Sequence, residues 1–464
     1  MKFGFDPVVA VKELERHDLL PAIIFRASRK DCDQDCLRFL KVKSATLSEQ
    51  KQIEIVEFIE KVCERYSFSV DTLKSLRFFE ILVKFGVAPH HAGHLVSWRV
   101  VIEQLMSAGK LRAIFATSTV AAGVDFPART VVITSHRKRG QFGVKTLTPT
   151  EFHQMAGRAG RRGKDKVGFC LFAVHPENSI KTLSLLSESK SEPLRGAYFC
   201  SPSTILPMLK YRDIADLLEL VEKGFTVFVE KEEARQLLKK ADELELKLSQ
   251  VSAKGSRKLK QKISQLRKLG KALETRQMNL LIKVLECLTE LGYIKDGSLT
   301  EKGLWAAEIS SSFLVEIGEI LSSDFVKEVD SSVKLAALFG LIAGDETKNY
   351  LRGKSPVSTK AVHGVKSVVS KVNKLFLGLR PFSSSVLESA GYTVYRWLML
   401  GNWREFLLEL KFNNVQEGDV SRLISQTADI MLQISKLGSA FPDFAYFAEE
   451  ARMMLLRPPF SEIG

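Results

Sequence analysis

The sequence has few cysteines and no long apolar run. Its longest apolar stretch, residues 335–343, is about half as long as the ~20 residues that cross a bilayer as a helix. The first residues do not show the charged-then-apolar pattern of a secretory signal. The six cysteines are scattered, which is typical of reduced thiols in a cytoplasmic protein. The sequence therefore argues against a membrane-spanning chain and against a disulfide scaffold.

The composition is that of a folded protein with a basic surplus. Hydrophobic residues make up 45% of the 464 residues and charged residues 26%, which excludes a disordered chain. There are 68 lysines and arginines against 54 aspartates and glutamates, a formal net charge of +14. This surplus favours a polyanionic partner, either nucleic acid or an anionic membrane surface.

The first 178 residues alternate short apolar runs with helical stretches. Four runs, at 20–28, 111–117, 130–135 and 167–173, have the character of buried parallel strands. We expect an α/β unit, a parallel sheet with helices on both faces. Functional sites on such sheets lie at the carboxyl ends of the strands, where Ser28, Arg29 and Thr117 stand in this sequence.

From about residue 190 onward the pattern is helical. Residues 229–275 are rich in Glu, Lys and Leu and are interrupted at 251–256, which predicts a solvated antiparallel helical hairpin. A separate amphipathic helix is predicted at 280–292, followed by a glycine-punctuated turn of the kind found in winged-helix modules. Residues 304–464 are mostly helical, with one clear amphipathic helix at 419–436.

The strongest chemical signal is the segment Glu-Phe-His-Gln-Met-Ala-Gly-Arg-Ala-Gly-Arg-Arg-Gly at 151–163. Glycine allows close approach of the backbone to a ligand, and arginine presents a fork of donors that matches phosphate oxygens. Arg158 and Arg161 are three apart, so they can converge from one face of a helical turn. The alternative is a basic, solvated end of a helix. Residues 129–166 contain ten Lys or Arg and two Asp or Glu, which favours a functional basic surface.

Three further segments precede this one in order. They are Ile-Ile-Phe-Arg-Ala-Ser-Arg-Lys-Asp-Cys at 23–32, Pro-His-His-Ala-Gly-His at 89–94, and Ala-Thr-Ser-Thr-Val-Ala-Ala-Gly-Val-Asp at 116–125. The ordered set resembles the second RecA-like domain of superfamily 2 helicases, specifically the Ski2-like DExH-box RNA helicases of Mtr4/Ski2 type. The resemblance continues through 192–209 and 291–309, similar to the family's winged helix, and 401–422, similar to its C-terminal helical domain. The hairpin lies where relatives carry a helical insertion.

The resemblance implies five parts. They are a second RecA-like domain (1–178), the start of a winged-helix module (179–228), a hairpin insertion (229–275), the rest of the winged helix (276–310), and a C-terminal ratchet-like helical domain (311–464).

The resemblance also implies roles for individual residues. Three residues match catalytic positions of the family. Arg158 and Arg161 match the arginines that reach the γ-phosphate of ATP, and Gln154 matches a residue that contacts the nucleotide or orders the surroundings of the attacking water. Gly123, Asp125 and Gly157 match further nucleotide-binding positions. The positions that match nucleic-acid contacts are Ser28, Arg29, Gly93, Thr117 and Arg422.

Simpler readings remain open for several of these residues. Thr117 can cap the next helix, Asp125 can be a turn residue, and Arg422 can face solvent. The histidines of the segment 89–94 suggest a metal by spacing alone, but no carboxylate lies beside them in the sequence, so we expect no metal site.

The sequence contains neither a P-loop nor an Asp-Glu-x-His box. No Gly-Lys pair has the required glycine five positions earlier together with the required following Ser or Thr. We therefore expect ATP and Mg²⁺ to be bound mainly by a first RecA-like domain outside this chain, in cis or in trans, and the chain alone to be inactive. The resemblance then implies ATP-driven 3′–5′ translocation on single-stranded RNA. The alternatives are a non-catalytic nucleic-acid-binding scaffold and part of a DNA-directed Hel308-like helicase.

Overall fold

The structure is a computed structural model. It describes residues 5–42, 45–121, 127–140, 143–173, 179–192, 194, 200–247, 253–380 and 382–463. The strands are β1 (Ala22–Phe25), β2 (Val87–His90), β3 (Ala113–Ala116), β4 (Thr130–Ile133), β5 (Arg137–Gly140), β6 (Gly143–Thr146), β7 (Phe169–Phe172), β8 (Ile294–Lys295) and β9 (Ser298–Leu299).

The N-terminal part is built on a parallel sheet of five strands in the order β2-β3-β1-β4-β7. Every residue of β1 to β4 is buried. Successive side chains of a strand point to opposite faces, so both faces of these strands are covered. The helices of this part are α1 (Pro7–Arg16), α2 (Arg29–Arg38), α3 (Glu49–Tyr66), α4 (Val70–Ser75), α5 (Phe79–Phe85), α6 (Val96–Ser107), α7 (Pro149–Ala156) and α8 (Ile180–Glu188). The predicted parallel sheet is confirmed.

Two elements of this part were not predicted. Strand β2 lies at an edge of the sheet and contains Pro89. Proline has no backbone N–H to donate to a neighbouring strand, so sheets accept it at an edge, where one side of the strand has no neighbour. The other is the antiparallel pair β5–β6, in which Arg137 pairs with Thr146. Its glycines and charged residues show little of the apolar alternation that indicates a strand.

The C-terminal part is almost entirely helical. Its helices are α9 (Pro202–Leu209), α10 (Ile214–Glu222), α11 (Phe225–Leu246), α12 (Ala253–Glu290), α13 (Glu301–Ala306), α14 (Leu314–Leu321), α15 (Ser332–Ala343), α16 (Thr359–Leu375), α17 (Glu388–Leu400), α18 (Trp403–Phe412), α19 (Glu417–Ser435) and α20 (Pro442–Leu455). Helix α15 contains the longest apolar run of the sequence, and ten of its residues are buried. It packs against α17, α19 and α20, so this run forms a helix in the protein core.

Helices α11 and α12 pack together as the predicted hairpin. The turn between them lies outside the described residues. The separate helix predicted at 280–292 is instead the last part of α12, which is 38 residues long. The predicted boundary at residue 276 therefore falls inside a continuous helix. Within the described ranges, no helix has the length and apolar character needed to cross a bilayer.

Candidate nucleic-acid and nucleotide sites

A cleft of about 1240 Å³ lies between the carboxyl ends of the sheet strands and the helical part. One wall is formed by residues that follow β1, β3 and β4, including Ser28, Thr117 and Ser135. The facing wall comes from two helical-part segments, at 345–349 and 414–419. The site is therefore at the edge that the parallel sheet predicted.

The cleft is predominantly basic. Three aspartates, Asp33, Asp345 and Asp419, stand against seven cationic lining residues: Arg26, Arg29, Lys30, Arg77, Arg137, Lys138 and Lys348. Three of the cations are paired within the protein, Arg26 with Asp35, Arg29 with Asp419, and Lys138 with Glu151. The other four make no ion pair with any described residue. A polyanion can therefore bind here without breaking an ion pair.

Ser28 and Arg29 lie at the start of α2, where the predicted backbone-binding segment stands. The Ser28 hydroxyl accepts the backbone N–H of Asp31 at 3.2 Å and so caps the helix. It also donates to the Asp31 carboxylate at 2.7 Å. Both residues line the cleft, but Arg29 is already bonded to the helical part through Asp419, at 2.6 Å.

Thr117 also lines the cleft, immediately after β3. It precedes a short 3₁₀ turn at Ser118–Val120, and its side chain makes no capping hydrogen bond to that turn. Its hydroxyl lies 2.8 Å from the hydroxyl of Thr119. The alternative reading of Thr117 as a helix cap is therefore not supported, and two hydroxyls are available at this point of the cleft.

Gly93 is not exposed in the cleft. It is buried where the loop after β2 meets the start of α19, and the N–H of Gly418 donates to its carbonyl oxygen at 3.0 Å. A β-carbon on Gly93 would lie 2.1 Å from Oε1 of Gln416. A β-carbon on Gly418 would lie 2.5 Å from the carbonyl oxygen of His94. In this structure Gly93 serves the close packing of the loop after β2 against the start of α19. Its predicted contact with nucleic acid stays a prediction.

We call the contact between these two parts the interdomain seam. Its members are Arg29, Asp33, Gly93, Gln416, Gly418 and Asp419. Besides the Arg29–Asp419 pair, Gln416 donates to Asp33 at 3.4 Å. The seam joins α2 and the loop after β2 to the first turn of α19, and four of its members, Arg29, Asp33, Gln416 and Asp419, also line the cleft.

The histidines that follow β2 divide between two carboxylates. Nε2 of His90 lies 2.8 Å from Glu103, and Nε2 of His91 lies 2.9 Å from Asp33. Nε2 of His94 lies 3.3 Å from the same oxygen of Asp33. One ligand-type atom from each of Asp33, His91 and His94 lies within 4.8 Å of the others, which is compact enough for a metal ion.

The hydrogen bonds of His91 argue against a metal. Its Nδ1 accepts the backbone N–H of Gly93 at 3.1 Å, so the neutral ring carries its proton on Nε2 and donates it to Asp33. A metal ion on Nε2 would have to displace that proton. Burial lowers the pKa of His91 to about 4. Burial alone would raise the pKa of Asp33, but the hydrogen bonds of this carboxylate with His91 and His94 hold its pKa well below the usual range.

The segment from Gly157 to Asp165, here called the arginine loop, follows α7. Helix α7 begins with a capping box of Thr148 and Glu151 and ends at Ala156. Both arginines therefore lie beyond the helix, and the expected convergence from one helical face is not observed. Glycines at positive φ, Gly160 at 90° and Gly163 at 78°, turn the chain away from a helical path.

Arg158 and Arg161 have different partners. Nε and Nη2 of Arg158 donate to the carbonyl oxygen of Ala121, at 3.1 and 2.7 Å. Nε and Nη2 of Arg161 donate to the two carboxylate oxygens of Asp165, at 2.8 and 2.9 Å. The hydrogen bonds from Arg161 lower the pKa of Asp165 to about 2. Nη1 of each arginine makes no hydrogen bond with the described residues, so each guanidinium keeps a donor for a phosphate oxygen.

The other predicted nucleotide residues give less information. Gln154 is exposed on α7, and Gly157 is the exposed residue at its carboxyl end. Gly123 and Asp125 lie outside the described residues. Arg422 is exposed on α19. Burial alone would raise the pKa of Asp345 at the cleft, but the hydrogen bonds of Thr347, with smaller contributions from the charges of Lys348 and Arg422, lower it.

The arginine donors fit the phosphates of ATP but the site does not fit Mg²⁺. Guanidinium groups match phosphate oxygens in geometry and charge. A magnesium ion requires oxygen ligands, usually carboxylates. Asp165 directs both carboxylate oxygens to Arg161. The arginine loop can therefore contact a nucleotide whose metal is held by other residues.

Sequence reasoning missed the helical-part wall of the cleft. Neither the segment 345–349 nor Asn414 and Gln416 follows an apolar strand, so no local pattern marks these residues as part of the cleft. Asp165 was also missed, although its position four residues after Arg161 is a recognisable signal for an arginine–carboxylate pair.

Two segments of the chain match known sequence families. Residues 62–163 match the helicase conserved C-terminal domain. Residues 296–462 match the DSHCT (NUC185) domain. The first match ends within the arginine loop, and the second covers most of the helical part, including α19.

Individual relatives are similar over about half of the chain or somewhat more. The probable helicase HelY of Mycobacterium tuberculosis is 33% identical over 219 residues, 47% of this chain and 24% of the relative. The exosome RNA helicase MTR4 of Homo sapiens is 33% identical over 218 residues, 47% of this chain and 21% of the relative. The antiviral helicase SKI2 of Saccharomyces cerevisiae is 30% identical over 295 residues, 62% of this chain and 22% of the relative. The matched region thus spans less than a quarter of the length of each relative.

Proposed function

We propose that this chain, which belongs to the Ski2-like DExH-box RNA helicases and corresponds to their C-terminal part, supplies the RNA-binding cleft and two nucleotide-contacting arginines of an ATP-driven motor. The proposal includes single-stranded RNA as the ligand, with movement in the 3′–5′ direction as in the family. ATP and Mg²⁺ are held mainly by a P-loop-bearing RecA-like domain, in cis or in trans.

The observation that carries the proposal is the set of unpaired cations in the cleft. Lys30, Arg77, Arg137 and Lys348 line it without an ion pair to any described residue. Arg137 belongs to the sheet part of the protein and Lys348 to the helical part. A single-stranded RNA that lies in the cleft therefore contacts both. Contacts of this kind go to the phosphate backbone, and they predict weak sequence preference and strong salt dependence.

The arginine loop supports the nucleotide half of the proposal. Arg161 is held by two bonds to Asp165 and is therefore oriented before any nucleotide arrives. An arginine directed at the transferred phosphoryl group stabilises the charge that develops there, an effect of ~10³–10⁵ in rate in other NTPases. Arg158, bonded to Ala121, connects the same loop to the segment that contains Gly123 and Asp125.

A winged-helix module between the two parts belongs to the same proposal. The supporting elements are three helices, α9, α10 and α13, the end of α12, and the β8–β9 hairpin, in which Ile294 pairs with Leu299. A small helical unit with a short antiparallel hairpin is the architecture of that module.

Binding of RNA tests the cleft. A short oligouridine of about ten nucleotides should bind with an affinity that falls steeply with salt. Replacing Arg137→Gln and Lys348→Gln together should weaken binding at least tenfold at about 0.1 M salt and reduce the salt slope by about 1.4, or ~0.7 per lost phosphate contact. Lys61→Gln with Lys371→Gln removes the same charge from exposed positions away from the cleft. Equal losses in the two double variants would contradict the proposal. Tighter binding of the matching DNA would redirect it to DNA.

ATP turnover tests the proposal that ATP is held mainly by a domain outside this chain. The purified chain should hydrolyse no ATP beyond an Arg161→Ala variant, with or without RNA, because its sequence contains no P-loop and no DExH box. RNA-stimulated turnover that Arg161→Ala abolishes would show a complete nucleotide site in this chain and would contradict the proposal.

A second candidate is a non-catalytic RNA-binding scaffold. It is favoured by the intrachain bonds of Arg158 and Arg161, which show that both arginines have structural partners without a nucleotide. The two candidates differ when a P-loop-bearing first domain of a relative is added. A motor half should then bind RNA with an affinity that depends on ATP, whereas a scaffold should not.

A further inference from the structure

The ion pair between Arg29 and Asp419 is held by a single hydrogen bond. Nη1 of Arg29 donates to Oδ1 of Asp419 at 2.6 Å, and the other two nitrogens of this guanidinium make no hydrogen bond with a described residue. In the arginine loop, by contrast, two nitrogens of Arg161 bind both carboxylate oxygens of Asp165. Paired parallel bonds are the stronger arrangement. The pair at the seam is therefore the weaker of the two and the easier to exchange.

The two partners at the seam differ in their access to the cleft. The side chain of Arg29 is 26% exposed, whereas that of Asp419 is 9% exposed. Both line the cleft, so a ligand there can reach the guanidinium, but the carboxylate has little surface that meets solvent. When Arg29 turns to a ligand, Asp419 stays behind with its charge largely buried. Leaving a buried carboxylate without its cation is costly, and this cost weakens the binding of any ligand that takes Arg29.

The neighbouring charges do not relieve this cost. Asp33, the other carboxylate of the seam, is already bonded to His91 and His94. Within the part of the chain that the structure describes, no second cation lies within ion-pair distance of Asp419. Arg29 and Asp419 are therefore each other's only ion-pair partners among the described residues.

Building on the proposed RNA-binding cleft, we propose that Asp419 competes with the RNA backbone for Arg29 and thereby restrains the affinity of the cleft for RNA. The oxygens of a phosphate match the fork of the guanidinium, so a strand that enters the cleft takes Arg29 from the carboxylate. Binding of the strand then includes the loss of the Arg29–Asp419 pair, and the two parts of the protein are joined by one contact fewer while RNA is bound. The pair is thus an autoinhibitory contact.

Asp419→Asn removes the competing charge and keeps the packing. The amide has the size of the carboxylate and leaves a neutral acceptor for Arg29, so the fold should be kept, which circular dichroism checks. The variant should bind the oligouridine of about ten nucleotides at least about threefold more tightly at about 0.1 M salt, with a salt slope steeper by ~0.7, the value of one further phosphate contact.

Asp429→Asn is the matched control, because it makes the same change at an exposed position of the same helix. The two positions are ten residues apart, or about 15 Å along the helix, which exceeds the Debye length of about 10 Å at this salt. The affinity of the control for oligouridine should therefore stay within about twofold of that of the unmodified chain.

Arg29→Gln combined with Asp419→Asn tests whether the gain depends on the freed arginine. The double variant should lose the gain and bind no more tightly than the unmodified chain. A gain of the same size in the double variant would show that Asp419 merely repels the strand, and would overturn the competition. Equal affinities of the Asp419→Asn variant and its control would overturn it as well and leave the cleft proposal standing. Failure of the unmodified chain to bind oligouridine would contradict the cleft proposal, and the competition with it.

Discussion

Two arginine–aspartate pairs at the candidate sites use the same chemistry over very different distances in the chain. Arg161 and Asp165 are four residues apart in the arginine loop. Arg29 and Asp419 are 390 residues apart and connect the sheet to α19 across the interdomain seam. The first pair orients one side chain within one loop. The second holds together the two walls of the cleft.

The packing of the backbone also differs between the arginine loop and the seam. In the arginine loop a β-carbon on Gly163 would meet no atom within 4 Å, whereas one on Gly160 would lie 3.2 Å from Cα of Gly168. At the seam a β-carbon on Gly418 would meet the backbone of residues 92–94, and one on Gly93 would meet the side chains of Gln416 and His91. Changes at the seam should therefore have global consequences, whereas changes in the arginine loop should have local ones.

The largest effect is expected from Gly418→Ala. The new β-carbon would lie 2.5 to 2.7 Å from three backbone atoms of residues 92–94, so one of the two parts must shift. Overpacking of this kind costs about 3 kcal/mol, which thermal or denaturant unfolding measures.

The matched control is Gly438→Ala, just after α19, where the nearest atom to a new β-carbon is 3.9 Å away. Its stability should change by no more than about 0.5 kcal/mol. Equal stability of the two variants would show that the seam accommodates a new β-carbon and is not a rigid contact.

A smaller effect is expected from pH, and it also arises at the seam. Because the pKa of His91 is lowered to about 4, the unfolded chain takes up a proton near pH 6.5 that the folded protein does not bind. Stability from His91 is complete above about pH 6.5 and is lost as pH falls towards 4. The loss between pH 7 and pH 5 should be about 2 kcal/mol in denaturant unfolding. The lowered pKa of Asp33 has the same sign but acts at lower pH, below the ordinary carboxylate range.

His91→Asn tests the assignment. The amide oxygen of asparagine can replace Nδ1 as the acceptor for the Gly93 N–H, but the side chain does not titrate. The variant should be less stable at pH 7, with a flatter dependence between pH 7 and pH 5. An unchanged slope would assign the proton uptake to another group.

The smallest effect is expected in the arginine loop. Asp165→Asn keeps the size of the side chain but removes the charge that Arg161 binds, and the expected loss of stability is about 1 kcal/mol. Asp242→Asn is the matched control, because Asp242 pairs with Arg267 at 3.0 Å but is exposed. That exposed pair should contribute less, about 0 to 0.5 kcal/mol. Equal losses in the two variants would mean that the bidentate pair of the arginine loop is no more rigid than a surface pair.

Much of the sheet could be predicted from local patterns. The apolar runs at 20–28 and 130–135 became β1 and β4 because buried parallel strands need apolar residues on both faces. Strand β2 could not be predicted in this way, since proline and histidine dominate its second half. The separate helix predicted at 280–292 was wrong, since those residues continue the helix α12, which pairs with α11 over its first part.

The sequence by itself determined the order of the motifs, the parallel sheet and the amphipathic helix α19. These follow from residue types at short spacing, where periodicity and charge are directly readable. Only the tertiary structure decided how the predicted residues are packed. Gly93 became a packing residue and Arg29 part of the seam, and the segment 345–349 became a wall of the cleft. These outcomes depend on contacts between residues hundreds of positions apart, and such contacts are decided by how the two parts bury each other's surface.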